Sequence, residues 1–401
     1  MVRLPGPRAF DIKLRTRLRG QVITCPLRQF SGMTAQTPAL EPSVSPSAAP
    51  AASATHPGVV NTFRGLAILE VVSHHGSGLA LRYMQPEWPL YTMLAVVNRT
   101  LHFAVPAFLF LTAVLLTRSL LRAPDFKRYL WRRLTRGAWP YLLWSTLFMG
   151  WYVLLGLRPP DTLTDPDRWA LYLTQGKASY HLYFLLVALE AYLILPLFLG
   201  LARLRPPLWV AVGLGFAAQV GVYFLNRHWW HLAFPASHIT WYLFPLIVGV
   251  AVAARHDEFP DWFRRHRLLL TGLLLAAAAA YVPQGVASLS GQPVVPMTYS
   301  VSAWLFTTFS AVMLYGLCRT WGGLTGRVGA VVAWFGMVSL QIYLLHPPLL
   351  QLAEQWWPPH GSGTQRVVTV TAFGLGALLL TALTGHGLLR LPALSRALFG
   401  R

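Results

Sequence analysis

The chain has 401 residues, of which 55% are hydrophobic and only 11% charged, and its mean hydropathy is +0.47. Ordinary soluble domains carry about 25% charged residues, so this composition excludes that class and indicates a polytopic membrane protein. The formal charge of +20 does not indicate a nucleic-acid partner, because the basic residues form short clusters between apolar segments. The two cysteines, Cys25 and Cys318, are too few and too distant for a disulfide framework or a zinc site, and we expect neither a metal nor a bound cofactor.

Residues 1–57 are predicted to form a disordered, basic and Ala/Pro/Ser-rich cytoplasmic extension. Residues 1–32 contain seven Lys/Arg and one acid, and they lack the apolar core of a secretory signal. Residues 34–57 are mostly Ala, Pro, Ser and Thr, which bury too little apolar surface to fold. Met33 is an alternative start of translation. The membrane domain is therefore expected to comprise residues 58–401.

Ten apolar segments follow, each containing roughly the 20 residues that a helix needs to cross a ~30 Å hydrocarbon core. They predict an all-α protein with about ten transmembrane helices. The segments are residues 63–83, 101–121, 137–157, 181–202, 207–226, 236–254, 267–284, 298–318, 330–352 and 367–389.

The distribution of Lys and Arg predicts the orientation of these helices. If the N-terminus is cytoplasmic, the loops on that side after residue 121 contain seventeen Lys/Arg, whereas the loops on the opposite side contain seven. Cytoplasmic loops of membrane proteins carry the excess of basic residues. We therefore expect both termini in the cytoplasm and a multi-pass protein in the cell membrane.

Arg64 and His75 stand eleven residues apart in the first apolar segment. On a helix that turns about 100° per residue, their side chains share one face and lie about 16 Å apart along the axis. Ionisable groups are costly at membrane depth and indicate a functional site. Two plainer interpretations remain open: Arg64 anchors the helix at the headgroups, and His75 is a polar packing residue.

Glu70 is the second catalytic candidate in this segment. It precedes His74 by four residues, a spacing that suits a hydrogen bond along one helix face, although a paired or protonated structural glutamate is an equal alternative. His74 is an alternative base to His75. Glu190, in the fourth segment, is expected only to line a pocket.

Five blocks of sequence resemble the acyltransferase family 3 of integral-membrane acyltransferases, over roughly residues 58–390. One departure is Thr112-Ala113, where Ser-Gly is often expected, and it bears on helix packing. The blocks are Arg64-x10-His75, residues 105–110 (VPAFLF), residues 132–136 (RRLTR) followed by Pro140-Tyr141, residues 181–185 (HLYFL) and residues 339–346 (SLQIYLLH).

The resemblance implies transfer of an acyl group, often acetyl from cytoplasmic acetyl-CoA or another acyl-CoA, to a hydroxyl. The acceptor would be a glycan, a lipid-linked sugar or a small natural product, with membrane lipids and envelope-synthesis proteins as further partners. A hydroxyl that attacks a thioester needs a base, and imidazole titrates near the required range, so His75 is the candidate. A phosphate-rich donor needs fixed cations. The candidate cations are Arg64, Arg132, Arg133 and Arg136, although loop arginines also act as topology determinants.

Four later residues are candidates for the acceptor side: His181, Tyr183, Tyr343 and His346. Interfacial anchoring and helix packing are the alternatives for them. Pro347-Pro348 is expected to break or bend the ninth helix directly after His346.

The sequence leaves two rival functions. A transporter or flippase would line a translocation route with the same polar groups, and a nonenzymatic subunit of a polysaccharide-synthesis complex would tolerate replacement of His75. Hydrolases, zinc proteases and ATP-driven pumps are not indicated, because the chain has no GxSxG, HExxH or Walker motif.

Overall fold

Helices account for all the regular structure in residues 57–400, the part of the chain that the computed structural model describes. The predicted extension lies outside the described residues except at Pro57, where the first helix begins. The α-helices are α1 Pro57–Leu81, α2 Pro89–Thr100, α3 Ala104–Arg122, α4 Phe126–Leu154, α5 Pro166–Thr174, α6 Tyr183–Ile194, α7 Leu199–Leu204, α8 Leu208–Leu225, α9 Leu243–Ala254, α10 Phe259–Leu289, α11 Pro296–Thr320, α12 Gly326–Met337, α13 Ser339–Trp356, α14 Gly363–Leu389 and α15 Pro392–Phe399.

The helices confirm a multi-pass membrane protein. Within the described residues, six helical segments are long and apolar enough to cross a membrane, and the bent pair α12 and α13 makes a seventh if it counts as one span. Large apolar side chains on the outer faces are exposed, such as Leu268 on α10 (82%) and Leu383 on α14 (61%), which suits contact with lipid. The six segments are Pro89–Arg122, Tyr183–Leu204, Leu208–Trp230, Phe259–Leu289, Pro296–Thr320 and Gly363–Leu389.

Each of the ten predicted segments falls on a helix, but three of them do not qualify as spans by length and apolarity. The α1 helix contains Arg64, Glu70 and two histidines, and α4 is rich in Trp and Tyr, so both are less apolar. The α9 helix has only 12 residues. The count of ten and the orientation of the termini therefore remain predictions.

The break in the ninth predicted segment lies eight residues before His346 rather than directly after it. The α12 and α13 helices meet at Val338 with a bend of 77°, and α13 then continues through Pro347 and Pro348 to Trp356. The expected break at the two prolines was therefore wrong, because the break lies at Val338. Prolines are tolerated in such helices where neighbouring groups satisfy the freed carbonyls.

The α1 helix is the centre of the bundle, since it packs against α2, α3, α11, α12, α13 and α14. Its N-terminal half contributes Phe63 to a core with Phe110 and Tyr315, and all three side chains are fully buried. Its middle contributes Ile68 to a second core with Ile342 of α13. The polar side chains of α1 are thereby held on a helix that is fixed on nearly every side.

Small residues allow α1 and α12 to cross at close range. A Cβ added at Gly65 would lie 1.9 Å from the carbonyl oxygen of Val332, and one at Gly336 would lie 1.9 Å from the carbonyl oxygen of Asn61. Both obstacles are backbone atoms, which cannot move aside as a flexible side chain can. Glycine is required here for backbone contact between the helices.

Replacing Gly65 with alanine is expected to lower the thermal unfolding midpoint of the purified protein in detergent, because overpacking a tight contact costs about 1–3 kcal/mol. Gly76→Ala is the matched control on the same helix, since a Cβ there meets nothing within 4 Å. That control is expected to retain or raise the midpoint, because alanine favours helix over glycine. Equal midpoints for the two variants would contradict the close crossing.

Candidate active site

His75 lies in a wall that separates two cavities. The first, which we call the aromatic cavity, has a volume of about 440 Å³, and the second, which we call the polar cavity, has a volume of about 630 Å³. Both are lined by His74, His75 and Tyr180. The aromatic cavity is further lined by Glu70, His102, His181, Tyr183, Phe184, Trp241, Tyr299, Trp304 and Tyr343. The polar cavity is further lined by Arg82, Tyr83, Tyr152, Gln351 and Glu354.

The ring of His75 is held by two neighbours. Its Nδ1 is 2.8 Å from Nε2 of His346 on α13, and the edge of Tyr180 meets it with ring centroids 4.9 Å apart. The other nitrogen, His75 Nε2, makes no hydrogen bond within the described residues. One nitrogen is thus fixed by the protein and the other is available to a ligand in a cavity.

Glu70 joins α1 to the start of α3. Its Oε1 accepts a hydrogen bond from the backbone N–H of Phe103 at 3.2 Å, at the N-terminus of a helix, where a carboxyl group is favourable. Its Oε2 is buried and has no hydrogen-bond partner among residues 57–400, although Glu70 lines the aromatic cavity. The expected hydrogen bond from Glu70 to His74 was wrong, because Glu70 Oε1 accepts from the start of α3 and His74 Nδ1 donates to the Asn98 carbonyl.

His74 is instead tied to α2. Its Nδ1 donates to the carbonyl of Asn98 at 3.0 Å, and the side-chain amide of Asn98 donates to the His74 carbonyl at 2.9 Å and to Ser77 Oγ at 2.9 Å. Asn98 is 2% exposed, so these bonds lie in the core. His74 therefore shows the same pattern as His75, with Nδ1 engaged and Nε2 without a hydrogen bond in the described residues.

Three of the four predicted acceptor-side residues line the aromatic cavity: His181, Tyr183 and Tyr343. The Tyr343 hydroxyl donates to the backbone carbonyl of His181, and His181 Nδ1 lies 3.1 Å from Ser179 Oγ. His181 Nε2 is buried without a partner in the described part of the chain. His346 lies behind His75, is completely buried and lines neither cavity.

Polar side chains in the polar cavity are linked in two groups. Glu354 accepts from Arg82 at 3.0 Å and from the Tyr83 hydroxyl at 2.8 Å. Gln351 donates to the Tyr152 hydroxyl at 2.8 Å. The cavity therefore offers a carboxylate, an amide and phenol groups, which suit a hydroxylated ligand.

The predicted donor arginines do not all lie together. Arg64 interacts electrostatically with Arg133 of α4 and with Tyr192 of α6, whereas the side chains of Arg132 and Arg136 are exposed. Neither Arg64 nor Arg133 forms an ion pair with an acidic side chain in residues 57–400. Interacting cations without an acidic partner favour the binding of an anion.

Sequence reasoning missed Tyr180, Asn98, Gln351 and Glu354. Tyr180 precedes His181 directly, but no spacing rule marks it, and the other three reach the site through contacts between distant helices. Glu190 does not reach either cavity around His75 and instead binds the backbone N–H of Ile239. No group of His, Cys, Asp or Glu side chains in the described chain has the arrangement to hold a metal ion.

Comparison with known proteins identifies one matching family. The model described as an acyltransferase domain, for acyltransferase family 3, matches residues 59–386, which is most of the chain. No curated protein and no solved structure matches the sequence.

Proposed function

Because the chain belongs to acyltransferase family 3, we propose that this multi-pass membrane acyltransferase moves an acyl group, acetyl in the first instance, from acyl-CoA to a hydroxyl of an envelope or exported carbohydrate. One observation carries the proposal. His75 offers a partner-free Nε2 in the wall shared by two cavities of different chemistry. A base at such a wall can touch both substrates at once.

In this mechanism His75 Nε2 takes the proton of the acceptor hydroxyl. At the same time the hydroxyl oxygen bonds to the carbonyl carbon of the thioester. The tetrahedral intermediate collapses as the carbon–sulfur bond breaks, and the leaving CoA thiolate takes the proton from His75. The products are an ester and CoA, and the imidazole returns to its neutral form. General base catalysis of this kind contributes about 10²- to 10⁴-fold.

The linings of the cavities support a division of the substrates. We assign the acyl end of the donor to the aromatic cavity, whose walls include Trp241 and Trp304, and the hydroxylated acceptor to the polar cavity. Glu70 and His181 line the same cavity, and their unpartnered atoms Oε2 and Nε2 are buried beside it. Tyr183 and Tyr343 would shape the same cavity.

Arg64 and Arg133 are the proposed contacts for the donor phosphates. They are electrostatically interacting cations without acidic partners in the described residues, and arginine binds phosphate through paired hydrogen bonds. Arg132 and Arg136, exposed on the same helix, would attract the donor at longer range. With Arg64 at the cytoplasmic end of α1, the acyl group would reach inward by about 16 Å to His75.

The same proposal includes ten crossings, cytoplasmic termini, residence in the cell membrane and association with envelope-synthesis proteins. The excess of basic residues in alternate loops supports the orientation. To test the orientation, Arg132 and Glu87 are each replaced by cysteine, and intact cells are treated with a thiol reagent that cannot cross the membrane. Only the residue-87 cysteine is expected to react.

Membrane vesicles that contain the intact chain test the reaction. They are supplied with acetyl-CoA labelled in the acetyl group and, in turn, with envelope polysaccharide, a lipid-linked sugar and small hydroxylated compounds. We expect label in an alkali-labile ester of one acceptor, and no transfer when the label is in the CoA moiety. Movement of the acceptor across the membrane without acylation would instead identify a transporter.

Glu354→Gln is expected to raise the acceptor KM about 5-fold and leave the donor KM unchanged, because the neutral amide loses a charge-assisted hydrogen bond worth about 1 kcal/mol more than a neutral one. Glu87→Gln is the control, since that exposed carboxylate lines neither cavity. Steady-state rates at varied acceptor measure the effect. A changed donor KM with a constant acceptor KM would reverse the assignment of the cavities.

A further inference from the structure

We infer that His346 is a positioning residue that sets which nitrogen of His75 carries the proton, and so keeps His75 Nε2 unprotonated and facing the substrates. The inference rests on the proposed function. It concerns a side chain that lies outside both cavities and therefore touches neither substrate.

The two imidazoles meet edge to edge. Their planes differ by 12°, their centroids are 5.1 Å apart, and His75 Nδ1 is 2.8 Å from His346 Nε2. Two parallel rings with that centroid separation can bring two nitrogens so close only if they are almost coplanar. The N–H of one ring then points along the lone pair of the other, which is the best geometry for a hydrogen bond.

The direction of this hydrogen bond follows from the far side of His346. Its Nδ1 is 2.8 Å from the carbonyl oxygen of Ile342, and a carbonyl can only accept, so Nδ1 carries the proton. In neutral His346 the remaining nitrogen, Nε2, is then an acceptor. His75 Nδ1 must donate to it, and neutral His75 is left with a lone pair on Nε2.

The His346-Pro347-Pro348 sequence frees a second backbone carbonyl near the ring of His346. Pro347 has no N–H, so the carbonyl of Tyr343 loses its usual partner four residues on. The ring of His346 interacts with the carbonyls of both Ile342 and Tyr343, and its Nδ1 is 2.8 Å from the Ile342 oxygen. Both partners can only accept, which favours a proton on the ring nitrogen that faces them.

Three substitutions at residue 346 separate positioning from packing. The Gln amide oxygen of His346→Gln can occupy the place of Nε2 and accept from His75, whereas the shorter side chain of His346→Asn reaches only the place of Nδ1. His346→Leu provides no acceptor. We expect His346→Asn and His346→Leu to lower kcat by about 100-fold or more with donor and acceptor KM unchanged, since a wrong tautomer disables a general base. His346→Gln should stay within about 10-fold of the parent.

The assay uses the full chain in vesicles. Each rate is divided by the amount of protein that is still folded at the assay temperature. Full activity of His346→Leu, or an equal loss in all three variants, would overturn the inference. The double variant His75→Ala/His346→Leu should be no slower than His75→Ala alone, and a further loss would show that His346 acts independently. Activity retained by His75→Ala would instead refute the proposed base itself, so the two failures are distinct.

Discussion

His75→Ala is expected to lower acyl transfer by about 10²- to 10⁴-fold, the contribution of a general base, while protein abundance and the KM for both substrates stay close to those of the parent. The expectation follows from the free Nε2 of His75 at the wall between the cavities. Initial rates with labelled acyl-CoA, over a range of acceptor concentrations, measure it.

His74→Ala is the matched control for this prediction, because it removes the neighbouring imidazole from the same helix. We expect a smaller effect on rate, because the family spacing from Arg64 falls on His75, and an effect on stability, because His74 Nδ1 donates to the Asn98 carbonyl. If His74→Ala abolished transfer and His75→Ala did not, the base would be His74. If both variants transferred the acyl group at the parent rate, neither His74 nor His75 would be an essential base.

Arg64→Ala is expected to raise the donor KM by about 10- to 100-fold with a smaller change in kcat, because a charge-assisted hydrogen bond to phosphate is worth about 1.5–3 kcal/mol. The affinity for CoA, measured by competition with labelled acyl-CoA, should fall in parallel. Arg64→Lys should retain part of the affinity, since it keeps the charge and loses the paired geometry.

Arg132→Ala provides the comparison for Arg64→Ala. Both remove one cation from the same end of the bundle, but Arg132 is exposed and Arg64 lies beside Arg133 and Tyr192. We expect less than a 3-fold change in donor KM for Arg132→Ala, because exposed charges act weakly at physiological salt. An ordinary donor affinity in Arg64→Ala would mean that Arg64 serves only as an anchor of α1.

The sequence predicted the positions of the helices well, because a hydrophobic segment of membrane length has few alternatives to a helix. The eleven-residue interval and the polar side chains singled out His75, whose catalytic role stays a prediction, and the residue lies on a central helix. The number of membrane crossings is harder to predict from the sequence. The α1 and α4 helices contain polar and aromatic side chains, which lower their apolarity whether or not they cross the membrane.

Contacts between distant helices were not readable from spacing. Glu70 is four residues from His74, yet its Oε1 binds the start of α3, because an unsatisfied helix N-terminus competes for the carboxylate. His346 was predicted for the acceptor side, but it lines neither cavity, and its Nε2 faces His75 Nδ1 instead. These contacts depend on how separate helices pack against one another, which a single sequence does not show directly.

The wall that holds His75 also bears on the order of events during turnover. When two reactants share one overlapping site, the first product has to leave before the second reactant enters. Here the imidazole borders two chambers of about 440 and 630 Å³, so each reactant has its own compartment. Both can then be present together, which corresponds to sequential kinetics through a ternary complex rather than to a ping-pong scheme with a stored acyl group.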